Sequence, residues 1–331
     1  MAALRAGLIG LGMMGRHHAR VLSGLDGVDL VAVADPAGDP HRVAGERTVF
    51  DGVQGIIDAG VDYCTVAVPT AYHEQVGLAL AEAGIHALIE KPLAQNTAAA
   101  RNLAKAFDAA GLIGAVGHIE RYNPALQSAR SRIDNGDLGE VYQVATRRQG
   151  PFPNRISDVG VIFDLATHDI DLTAWVTRQR YQQVSAYTAK RSGRPYEDLV
   201  AMIGRLERGT VTDHLVNWLS PLKERLTTIT GERGAFVANT LSAELTFYAN
   251  GANVNTWDNL AQFRGVTEGD MIRYGIAKPE PLLVEHQNFR DAVLGKDVDV
   301  VTMQQGLDTV IVAEAAVESA ASGRTVTLME N

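Results

Sequence analysis

The sequence predicts an α/β chain of two domains: first a doubly wound parallel sheet, then an α+β domain built on a large, mainly antiparallel, open-faced sheet. Three observations lead there. A G-x-G-x-x-G run, Gly10-Leu11-Gly12-Met13-Met14-Gly15, sits between a strand pattern and a helix pattern. Strand and helix patterns then alternate as far as residue 118, as repeated βαβ units do. After Gly139, short strands succeed one another across turn signals such as Arg208-Gly209 and Gly231-Glu232, which implies antiparallel pairing. At 331 residues the chain exceeds what one core usually organises. The domains are placed at 1–119 and 120–331.

In chain order, residues 4–9 form a short apolar strand that runs into the glycines, and a helix pattern carries Ala19, Val21 and Leu22 to Gly24. A second strand, 28–34, ends in Asp35, twenty positions beyond Gly15. In that context the motif is a dinucleotide-binding (Rossmann) fingerprint. Gly10 permits the tight turn, Gly12 lets a pyrophosphate approach the backbone, and Gly15 lets the helix pack on the strand. The pyrophosphate then meets free amides of Gly12, Met13, Met14 and Gly15 at the helix N-terminus. Asp35 accepts from the adenosine ribose hydroxyls and repels a 2′-phosphate, which favours NAD over NADP, although Arg42 lies close by in sequence. His17 and His18 diverge by about 100° on a helix and are read as helix surface.

The run 61–68 is apolar throughout, as a strand buried on both faces should be. It ends in Pro69-Thr70 and His73, and a helix follows at 74–83. The strand 87–89 runs into Glu90-Lys91-Pro92, a helix occupies 97–110 and a strand 112–118. In such sheets ligands sit at the carboxyl ends of the strands, where Asp35, Pro69, Thr70, His73, Glu90, Lys91, His118 and Arg121 fall. Lys91 is read either as a catalytic or substrate-holding cation or as a lysine that snorkels to solvent.

In the second domain strands are expected at 140–148, 184–189, 199–206, 210–219, 225–230 and 245–248, with closing helices at 285–294 and 304–322. The stretch 161–176, VIFDLATHDIDLTAWV, is apolar nearly all round, so its helix should be buried. Asp164, His168 and Asp171 fall at i, i+4 and i+7, on one stripe. They are either a structural network or a site, since buried charge must be answered by a partner or a ligand. Arg147, Arg148 and Arg155 lie just upstream and could supply a local positive field.

The net charge of −9 and pI near 5.5 argue against nucleic acid or an anionic membrane as a partner. The single cysteine, Cys64, excludes an internal disulfide and lies in an apolar run. No apolar run reaches the length of a membrane span, and a cytoplasmic protein is expected. His168 and Asp169 point to different faces and no other His/Cys cluster completes a ligand set, so no metal is expected.

Taken together, GLGMMGRHHARVL, VPT-x-x-H (68–73), EKPLA (90–94), GHIERYNPAL (117–126), LGEV (138–141) and FDLATHDIDL (163–172) resemble the Gfo/Idh/MocA family of sugar and polyol oxidoreductases, over nearly the whole chain. The resemblance implies an NAD-dependent dehydrogenase with Lys91, Asp164 and His168 as catalytic residues. Lys91, Arg121, Asn123, Arg155 and His168 are expected at the substrate, and Asp171 is expected to fix the helix in place or to bind a sugar hydroxyl; the resemblance also implies a homodimer or homotetramer formed through the second-domain sheet. Ala166 stands where the family usually has a glycine. The segments 147–166 and 216–234 look most like the family's nucleotide-sugar branch, which implies oxidation at C3 of a UDP-linked amino sugar. The alternatives are a free polyol or monosaccharide and, in another class, a non-catalytic NAD-sensing regulator; retention of Lys91, Asp164 and His168 together argues against the last.

Overall fold

The computed structural model describes residues 3–153, 159–251 and 269–328. The chain forms two compact units, one of residues 1–119 with 279–314 and one of 120–278 with 315–331. The segment 279–314, expected with the second domain, thus clusters with the first. The reason is apolar: Phe289, on the helix Pro281–Val293, is buried in the first core beside Leu8, Leu22, Tyr63 and Leu88.

In the first unit, β1 (Leu4–Ile9), β2 (Val28–Ala34), β3 (Val49–Phe50), β4 (Tyr63–Val66), β5 (His86–Glu90) and β6 (Gly114–Gly117) make one parallel sheet in the order 3-2-1-4-5-6. β1 and β4 lie side by side although two strands separate them in sequence, so the order reverses at β1, where the glycine motif begins. The helices α1 (Gly15–Ser23), α2 (Val53–Asp58), α3 (His73–Glu82) and α4 (Thr97–Ala109) are the crossovers. Asn96 caps α4 by accepting from the Ala99 amide, a cap worth about 1 kcal/mol.

In the second unit, α5 (Pro124–Asp134) and the helical stretch 162–177 accompany a nine-stranded sheet. Its strands are β7 (Val141–Pro151), β8 (Tyr181–Ala189), β9 (Leu199–Leu206), β10 (Val211–Asn217), β11 (Leu219–Gly231), β12 (Gly234–Asn239), β13 (Glu244–Ala249), β14 (Met271–Arg273) and β15 (Val326–Thr327). Every pairing is antiparallel except β7 with β10, which run parallel at the centre. The expected strand 210–219 is two strands, broken at Trp218.

Alternation along β7 and β9 gives the sheet two unlike faces. Val144, Thr146 and Arg148 on β7, and Val200, Met202 and Leu206 on β9, are buried. Tyr187, Ile203 and Val211, on the other parity, are exposed.

Beneath the buried face, the His214 ring bonds Thr146 Oγ1 at 2.7 Å and Tyr181 Oη at 2.8 Å. Burial, then the charge of Arg148, pushes its pKa down to about 3. A histidine held neutral in the fold but free to protonate when unfolded stabilises above its unfolded pKa. That contribution is lost as pH falls toward the folded value. Tm is therefore expected to drop steadily from about pH 7 down toward about pH 3, and His214→Gln should flatten the profile; an equally steep profile in the variant would count against this role.

Candidate active site

The first half of the site is the nucleotide loop after β1. Gly10 has φ +91°, and a Cβ there would lie 2.5 Å from the Ala67 carbonyl oxygen. At Gly15 it would lie 1.9 Å from the Gly10 oxygen, whereas at Gly12 it would meet nothing within 4 Å. Gly10 and Gly15 therefore serve internal packing, and Gly12 leaves open space over the backbone. Helix α1 begins without a side-chain cap at Met14, and Met13 is exposed. An uncapped helix start under open space suits a pyrophosphate.

Asp35 closes β2 and is tied into the same loop. Its Oδ2 accepts from the Leu11 amide at 2.7 Å and its Oδ1 from the Ala37 amide at 2.8 Å. An ionised carboxylate has about four acceptor positions, so ribose hydroxyls can still be received. These residues fit the group that the glycine motif implies.

Four expected cofactor positions have different surroundings. Pro69 and Thr70 enter a short 3-10 turn ahead of α3. His73 is buried, its Nδ1 3.0 Å from the Pro92 carbonyl oxygen and its Nε2 3.0 Å from that of Val68. It ties the loop after β4 to the loop after β5. Glu90 is also buried: Oε1 bonds His18 Nε2 at 2.8 Å and Oε2 accepts from the Lys91 amide at 3.1 Å.

His18 is fully buried, which corrects its reading as helix surface; its Nδ1 meets His286 Nε2 at 2.8 Å. Burial alone would raise Glu90's pKa, yet His18 and Lys91 hold it below the usual carboxylate value. Burial, then His18, keeps His286 well below the ordinary histidine value. An ionised Glu90 requires a proton on His18 Nε2. The chain His286–His18–Glu90 thus pins the backbone that carries Lys91. The sequence offered no local sign of it, because the partners are 72 and 268 residues from His18.

In the second unit the long helix opens with a π-helical turn, Ile162–Ala166, before α6 (Thr167–Thr177). Such turns recur at functional sites, and here the wider turn carries Asp164. Asp164 is buried, and His168 is partly exposed. Asp171 forms a buried bidentate pair with Arg121, at 2.8 Å to Nε and 2.6 Å to Nη2. Asn123 caps α5 through the Ala125 amide and donates to the Thr240 carbonyl. Arg121 and Asn123, expected at the substrate, and Asp171, expected there or as an anchor of its helix, fasten the approach to α5 and α6. Arg155 lies outside the described residues.

Arg148 is also engaged. Its Nε lies 3.1 and 3.0 Å from the Asp169 oxygens and its Nη1 3.0 Å from Glu120 Oε1. Burial would lower its pKa, but Asp169 and Glu120 more than reverse that. Its charge is answered inside the fold, and Arg147 is exposed on the opposite face, so neither supplies the expected open positive field.

Residues 4–118 match the family model described as "Oxidoreductase family, NAD-binding Rossmann fold", and residues 126–237 match the GFO/IDH/MocA C-terminal domain. The chain belongs to the GFO/IDH/MocA oxidoreductase family. As in that family, its first unit is an NAD-binding domain. The chain is 31% identical over 223 residues to an inositol 2-dehydrogenase of Saccharopolyspora erythraea, covering 63% of this chain and 65% of that protein. It is 34% identical over 180 residues to the UDP-N-acetylglucosamine 3-dehydrogenase of Acidithiobacillus ferrooxidans, covering 54% and 55%. These alignments span a little over half to just under two thirds of the relatives' lengths. The solved structure of the A. ferrooxidans enzyme superposes with a TM-score of 0.84 at 25% identity, covering 97% of this chain and 99% of that one. Among the described residues no helix is long and apolar enough to cross a membrane and no group of three or more His, Cys, Asp and Glu could hold a metal.

Proposed function

We propose that this family member is an NAD-dependent dehydrogenase of a secondary ring alcohol, most specifically the C3 hydroxyl of a UDP-linked amino sugar. The supporting observation is the chain's double equipment. An open nucleotide loop, with Lys91 anchored beside buried Glu90 after β5, occurs with a helix whose opening π turn carries Asp164 and whose next turn carries His168.

His168 takes the proton of the reacting hydroxyl as general base. Lys91 holds that hydroxyl and stabilises the negative charge that develops on its oxygen. Asp164 orients the imidazole or pairs with the lysine. The nicotinamide, when bound, supplies the hydride acceptor. The Arg121–Asp171 clasp and the Arg148–Asp169–Glu120 group act by position, fixing the helix that bears the base.

A neutral polyol is the second reading, favoured by the inositol dehydrogenases among the relatives. A screen of NAD reduction over UDP-sugars, free hexoses and inositols separates the two. Reduction with UDP-N-acetylglucosamine and not with inositols is the expected result; reduction with inositols alone would replace the sugar nucleotide by a polyol. The exposed Tyr187, Ile203 and Val211 face supports a homodimer or homotetramer through the sheet, to be checked by light scattering; a monomer at micromolar concentration would count against it.

A further inference from the structure

Arg225 on β11 lies directly opposite Arg148 of β7 in the antiparallel register, so both side chains leave the sheet on the same face. Their surroundings differ. Arg148 is met by two carboxylates. Among the described residues Arg225 is met only by neutral groups: its Nη1 donates to the carbonyl oxygens of Gln149 at 2.7 Å and Glu224 at 2.9 Å. Among the described residues its Nε and Nη2 have no acceptor.

Those two nitrogens form one edge of the guanidinium, whose parallel N–H groups match the two oxygens of a carboxylate or phosphate. The group is partly buried. Burial, then the neighbouring Arg148, lowers its pKa, and Asp169, Glu120 and Asp164 only partly offset this. A partly buried cation without a carboxylate in contact is costly unless an anion arrives. Arg148, opposite it on the same face, reaches Asp169 of α6, so the open edge lies on the sheet face that meets the proposed catalytic helix.

We propose that Arg225 binds an anionic oxygen group of the substrate, a phosphate or a carboxylate, and sets the preference for charged over neutral ring alcohols. This deepens the dehydrogenase reading and rests on it. Nη1, held by two carbonyl oxygens, fixes the plane of the fork, and the Nε/Nη2 edge receives the anion. The arrangement selects against inositols, which would leave the cation unanswered.

The test is calorimetric binding to the full chain with NADH present, comparing UDP with uridine and glucuronate with glucose, in wild type, Arg225→Met and Arg225→Lys. Wild type should prefer one anion over its neutral counterpart, and the preferred pair identifies phosphate or carboxylate. Arg225→Met should weaken that anion by about 150-fold or more, the loss expected for two charge-assisted hydrogen bonds, and leave the neutral ligand unchanged. Arg225→Lys keeps the charge without the fork and should fall between; it also serves if the methionine disturbs β11. Unchanged anion affinity in the variants overturns the proposal, as does a wild type that prefers neither anion. Turnover of neutral polyols, assayed alongside, separates that failure from failure of the dehydrogenase reading.

Discussion

Lys91→Ala and His168→Ala should each lower kcat by about 10²- to 10⁴-fold, the range for losing a positioned proton acceptor or charge stabiliser. NAD binding should persist in both. The His168 substitution falls on a helix of the second unit, and the loop that carries Lys91 stays anchored by Glu90 and His73. A structural role for either residue predicts the opposite pattern, with lower Tm and near-normal turnover in the folded fraction. Steady-state kinetics with NADH fluorescence titration distinguishes the two. Near-wild-type turnover in either variant would remove that residue from the mechanism.

The second large effect is on stability. Arg148→Ala should cost about 3–5 kcal/mol, because it leaves Asp169 and Glu120 without their cation. The Arg148 and Asp169 side chains are only 4% and 2% exposed, so solvent cannot take over the lost contacts. The exposed Arg178–Asp134 pair, at 64% and 36%, makes a control whose loss should change little. Urea denaturation of the two variants measures the contrast. Equal midpoints would show that the buried group contributes no more than the surface one.

These two results would separate what the helix does chemically from what holds it in place. Asp164, Asp169 and Asp171 fall within eight residues of one another. Asp171 is answered by Arg121 and Asp169 by Arg148, two fastenings that follow directly on the proposed base, His168.

The elements that were legible in the sequence are those set by local pattern. The glycine motif and the apolar runs of β1, β2 and β4 needed only residue spacing and a neighbouring strand or helix, whereas Lys91, Asp164 and His168 were singled out as catalytic through the family resemblance. What escaped depends on partners distant in the chain. His18 looked like surface because its partners, Glu90 and His286, arrive from β5 and the helix Pro281–Val293. Arg148 looked like an open cation because Asp169 and Glu120 meet it only once β7 is docked. The parallel pairing of β7 with β10 and the opposition of Arg225 to Arg148 are facts of register, which alternation alone does not determine. The π turn at Ile162–Ala166 breaks the simple stripe of Asp164, His168 and Asp171, and no composition signal announces it.

The most direct measurement follows the hydrogen itself. A ring substrate found in the screen, deuterated at the reacting carbinol carbon, is incubated with the wild-type chain and NAD, and the NADH is analysed by mass spectrometry. One deuterium in the nicotinamide ring, absent with His168→Ala over the same interval, is the predicted result. NADH formed without deuterium, or substrate consumed with no NADH formed, would contradict hydride transfer from that carbon.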